Sequence, residues 1–111
     1  MSRFEFETVV QGALAIVTLR GELDLLATSA LEPELERLVD ESLDVVALDL
    51  RGLDFLDSSG LRTIVVAGRA LDEGDCRLVL VRGSQPVQRV FEITRMTERL
   101  EFVDAPEHVH I

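Results

Sequence analysis

Asp44-Val45-Val46-Ala47-Leu48-Asp49-Leu50, running on into Arg51-Gly52-Leu53-Asp54-Phe55-Leu56-Asp57-Ser58-Ser59-Gly60-Leu61, is the segment on which the fold turns. Its first half is a short apolar run bounded by charge, the signature of a central strand buried on both faces. From Ser59 to about Glu73, Leu61, Ile64, Val65 and Leu71, with Ala67 and Gly68 between them, return at helical spacing until Gly74 offers a stop. A buried strand thus feeds directly into a helix. Downstream, Arg77–Val81 reads as a strand, Gln85–Ile93 as a helix with Pro86 in its first turn, and Leu100–Val103 as a final short strand. Upstream, Phe4–Val10 and Leu14–Leu19 flank the break Gln11-Gly12-Ala13 and predict a hairpin. After Gly21-Glu22-Leu23-Asp24, the spacing of Leu31, Leu35, Leu38 and Val39 predicts an amphipathic helix. Pro33 is harmless only in a first turn, which sets the expected helix start near Ser29 or Ala30. The expected architecture is α/β: one domain over residues 1–111, with a mixed β-sheet, an N-terminal hairpin and helices from βαβ crossovers. The polar stretch Asp104–Ile111 is expected to be a frayed end or one helical turn.

Composition narrows the function classes. With 111 residues and 47% hydrophobic content there is enough apolar material for one core. The start, MSRFEFETVV, lacks an apolar signal-peptide stretch, and no run approaches the roughly 20 residues of a membrane span. Cys76 is the single cysteine, which excludes an internal disulfide and, without histidine at ligand spacing, a zinc site. A reducing cytoplasm is the expected location. The formal charge of −10 repels nucleic acid and anionic membranes, so neither is an expected partner. All eleven basic residues are arginine, and without lysine there is no Schiff base and no P-loop lysine.

Chemistry concentrates where the central strand meets the next helix. Asp57, Ser58 and Ser59 are residue types that accept from the free N–H groups of a first helical turn, so capping alone accounts for them. Serine hydrolysis needs a base, and the histidines, His108 and His110, lie far along the chain, outside any Gly-x-Ser-x-Gly context. An aspartate-phosphorylated receiver built on Asp49 or Asp57 would rely on a lysine that is absent. Asp72, Glu73 and Asp75 read as solvated surface, and Cys76 and Phe91 as core. No catalytic residue, metal ligand or cofactor site is expected.

Gly21-Glu22-Leu23-Asp24, the strand Val45–Leu50 and Phe55-Leu56-Asp57-Ser58-Ser59-Gly60-Leu61 together resemble the STAS domain of bacterial anti-sigma factor antagonists, from about Phe4 to Val103. The resemblance implies a regulatory protein that is not an enzyme, with Ser58 as phosphoacceptor and Ser59 not the main one. It implies a partner-binding region of Asp24, Asp57, Ser58, Ser59, Gly60 and Leu61, with Asp24 as an acidic neighbour of the phosphorylation site. The implied partners are an anti-sigma factor that is also a serine kinase, which the unphosphorylated protein binds so that a sigma factor is freed, and a serine phosphatase that reverses the phosphorylation. A non-enzymatic STAS sensor or scaffold, binding a small ligand or other STAS proteins, is the alternative. Pro33 and the short C-terminal stretch depart from the family pattern.

Overall fold

The computed structural model describes residues 3–110. Its elements follow the expected order: β1 (Phe4–Gln11), β2 (Leu14–Leu23), α1 (Leu25–Val39), β3 (Val45–Leu56), α2 (Ser58–Glu73), β4 (Arg77–Val81), α3 (Gln85–Ile93) and β5 (Glu101–Val103). The five strands lie side by side in chain order, β1 antiparallel to β2 and every later pair parallel. Gly12, at φ +62°, lets the β1–β2 hairpin close through the two residues Gly12 and Ala13. Three successive crossovers in one direction bring α1, α2 and α3 to a single face of the sheet, where they share one core. The main core lies between them: Val17, Leu19, Leu48 and Leu50 from the strands meet Leu31, Leu35, Ile64, Leu71 and Phe91 from the helices. Cys76 and Phe91 are buried there as expected, and Phe91 meets Phe102 edge-on at 5.2 Å.

The opposite face carries a smaller cluster of Val45, Ala47 and Val79, covered by Val109. Arg77 Nη1 ties that covering segment down by donating to the His110 carbonyl at 2.8 Å. The segment contains a 3-10 turn, Pro106–His108, one of the two outcomes expected for it; a second such turn, Met96–Glu98, precedes β5. Asp49, only 4% exposed, is made tolerable by Arg51, whose backbone N–H and guanidinium donate to it at 2.9–3.3 Å. Burial by itself would raise the Asp49 pKa; the Arg51 hydrogen bonds outweigh it and hold the carboxyl below its usual range.

Several boundaries differ from the sequence expectation. α1 begins at Leu25, not near Ser29 or Ala30, and Pro33 lies inside it. Asp24 caps the earlier start, its Oδ1 accepting from the Ala27 N–H at 3.0 Å, and Ala27 and Thr28 are buried beneath that first turn. Pro33 and the Ser29 carbonyl it leaves without a helical donor are on exposed residues, where water can serve. Next to it Glu34 accepts from Thr8 Oγ1 at 2.6 Å and from Arg37, pinning the helix to β1. β3 does not stop at Leu50 but continues to Leu56, pairing with Arg20–Leu23 through two register shifts. Gly21 permits the second shift: its φ is +92°, and a Cβ there would lie 2.1 Å from the Arg3 carbonyl oxygen. α2 starts at Ser58, one residue earlier than expected, and β5 at Glu101, one later.

Candidate functional site

Two strand ends and two helix starts meet at one point of the sheet. Leu23 of β2 pairs with Leu56 of β3, and the next residue on each strand, Asp24 and Asp57, is the N-cap of the following helix. Asp57 Oδ1 accepts from the Gly60 N–H at 2.9 Å, while the Asp57 N–H donates to the Leu23 carbonyl at 3.3 Å. The two junctions are therefore bonded to each other. Gly60 makes this approach possible, because a Cβ at that position would lie 2.6 Å from the Leu23 oxygen and 2.7 Å from Leu56 Cδ1. Leu61, one residue on, is buried in the main core.

Ser58 follows the cap as the first residue of α2 and is exposed, whereas Ser59 is half-buried. Capping, which could have claimed all three of Asp57, Ser58 and Ser59, is performed by Asp57. No acidic residue lies in the first turn of α2, and the helix dipole directs its positive end at Ser58. Of the six residues singled out from the sequence, the fold brings Asp24, Asp57, Ser58 and Ser59 to one corner and buries Gly60 and Leu61 beneath it.

Three exposed apolar residues that sequence reasoning did not assign lie at the same end of the sheet as Ser58. Leu25 and Leu26, at the start of α1, are 68% and 78% exposed, and Phe55, three residues before Ser58, is 46% exposed. Val9, Val10, Val66 and Ile93 are the other large apolar residues exposed to a comparable degree among the described residues. For Leu25 and Leu26 the sequence signal was two leucines directly behind a cap residue and out of phase with the Leu31, Leu35, Leu38 stripe. The acids Asp72, Glu73 and Asp75 are exposed as expected. Among the described residues no helix is long and apolar enough to cross a membrane.

A STAS domain family model matches residues 5–108. The chain belongs to the STAS domain family. This STAS domain is 28% identical over 101 residues to the anti-sigma-B factor antagonist of Staphylococcus aureus strain NCTC 8325 / PS 47, an alignment spanning 91% of this chain and 94% of that protein. Its fold is similar to an anti-sigma factor antagonist from Mycobacterium paratuberculosis, with a TM-score of 0.87 at 19% identity over 95% of this chain and 89% of that one. The Bacillus cell fate determinant SpoIIAA in its phosphorylated form superposes with a TM-score of 0.72 at 22% identity, over 95% of each chain.

Proposed function

We propose that this STAS domain is an anti-sigma factor antagonist: unphosphorylated, it binds an anti-sigma factor that is also a serine kinase, and phosphorylation of Ser58 by that partner ends the binding. The observation that carries the reading is an exposed serine at a helix start, held by a two-strand junction, with the exposed apolar residues Leu25, Leu26 and Phe55 at the same end of the sheet. The names of the curated relatives agree with it, and SpoIIAA of similar fold exists in a phosphorylated form.

In the transfer, Ser58 Oγ bonds to the terminal phosphorus of ATP held by the partner while the bond to the departing ADP breaks. The hydroxyl proton passes to a base on the partner, since His108 and His110 sit on the C-terminal segment that covers the other sheet face. A serine phosphatase restores the hydroxyl by hydrolysis. Asp24, Asp57 and Ser59 surround the acceptor, and Gly60 and Leu61 contribute by fixing its position. Binding ends because an interface fitted to a neutral hydroxyl would have to bury a phosphate dianion, and an unpaired buried charge costs about 3–5 kcal/mol.

The test is to incubate the protein with ATP and its anti-sigma kinase and to locate phosphate by peptide mass spectrometry. Label on Ser58 that disappears in Ser58→Ala is expected; label persisting on Ser59 in that variant contradicts the assignment.

A further inference from the structure

We infer that Arg62 is the built-in counter-charge of phosphorylated Ser58, so that the domain neutralises part of its own phosphate. The inference rests on the reading of Ser58 as phosphoacceptor and adds a second residue to the switch. Arg62 lies four residues beyond Ser58 on α2, one turn along the same face, with Cβ atoms about 5–6 Å apart in that relation. Both residues are exposed. An anion placed four residues before a cation is also the stronger of the two orientations, since each charge then complements the helix dipole.

Arg62 is available for this role. Among the described residues the ion pairs belong to Arg37, Arg51, Arg77 and Arg82, and Arg62 is in none of them. It lines a cleft of about 380 Å³ between α1 and α2, whose other lining residues include Glu32 and Glu36 of α1. Towards the strand ends, Ser58 follows the acidic cap Asp57, and the acidic cap Asp24 stands at the neighbouring junction. Arg62 is the basic residue within the first two turns of the helix that Ser58 opens. The phosphate carries nearly two charges and three acceptor oxygens, so it outcompetes the single carboxylates of Glu32 and Glu36 across the cleft. Capture of the guanidinium by the phosphate would turn Arg62 from the α1 side towards the strand ends.

The experiment installs phosphoserine at position 58 by genetic encoding, without any kinase, and follows its second ionisation by phosphorus NMR. Ordinary phosphoserine has this pKa near 6. Arg62→Gln is expected to raise the measured pKa by about 0.2–0.4 units relative to the phosphorylated wild-type sequence, and Arg62→Lys to restore most of the shift. Arg69→Gln, two turns further on and equal in charge change, is expected to leave the titration where it was. Equal pKa values for Arg62→Gln and wild type would overturn the inference, as would an equal displacement by Arg69→Gln. Because the phosphate is installed directly, the result is independent of whether any kinase labels Ser58: failed labelling would count against the proposed function alone, and a flat titration against Arg62 alone.

Discussion

At the scale of the residue, the Asp57 side chain caps α2 through its carboxylate, which accepts from the Gly60 N–H at 2.9 Å. Removing such a cap costs about 0.5–2 kcal/mol. Asp57→Ala should therefore lower stability by about 1 kcal/mol in urea melts, while Asp57→Asn, which keeps the accepting oxygen, should stay within about 0.5 kcal/mol of wild type. Asp49 behaves differently because it is buried and salt-bridged. Burial opposes its charge, the Arg51 bonds favour it, and the net effect is a depressed pKa. A carboxylate whose folded pKa is depressed adds stability that is fully present above its unfolded value, near 3.9, and is lost as pH falls through the lower folded value. Asp49→Asn should thus be less stable than wild type at pH 7, and the gap should narrow only below about pH 4. Urea melts of both proteins from pH 7 to pH 3 check this; a gap unchanged across that range contradicts it.

At the scale of the element, α1 carries a conflict between backbone and side chains. Pro33 removes a helical hydrogen bond from the interior of a 15-residue helix, yet Ala27, Thr28, Leu31, Leu35 and Leu38 pack along one buried face and keep the helix continuous across it. The penalty of an interior proline is about 3 kcal/mol relative to alanine, reduced here by the exposed position and the Glu34 contacts to Thr8 and Arg37. Pro33→Ala should raise stability by about 1–3 kcal/mol without displacing the fold, as thermal and urea melts would record. The same conflict explains why the start of α1 was not legible: local propensity pointed to Ser29 or Ala30, and packing of Ala27 and Thr28 with the Asp24 cap decided otherwise. The end of β3 was hidden for a related reason. Over Arg51–Leu56 only Leu53 and Leu56 are buried, a three-residue repeat imposed by the register shifts against β2, whereas strand recognition depends on a repeat of two. By contrast Val45–Leu50, buried throughout, and Leu61, Ile64, Ala67 and Leu71, all buried on one helix face, gave strong periodic signals, and with them the order of all eight elements. The motif singled out Ser58, which the fold leaves exposed at the start of α2. The exposure of Leu25, Leu26 and Phe55 at that end of the sheet was not readable in the same way, because it depends on adjacent strands ending side by side.

At the scale of the whole molecule, the proposed switch changes partner binding and leaves the fold alone. Ser58, the proposed acceptor, sits outside both cores, on a helix start whose dipole and Arg62 would favour a phosphate while Asp24 and Asp57 would oppose it, terms that would offset each other to within about 1 kcal/mol. The interface has no comparable compensation, because the phosphate would be buried against the partner. Calorimetric titration of the anti-sigma kinase with the unphosphorylated domain, with Ser58→Ala and with the domain carrying phosphoserine at position 58 tests this claim most directly. The account predicts near-equal affinity for the first two and a loss of at least about a hundredfold for the third, equivalent to about 2.8 kcal/mol or more; undiminished binding by the phosphorylated domain would contradict it.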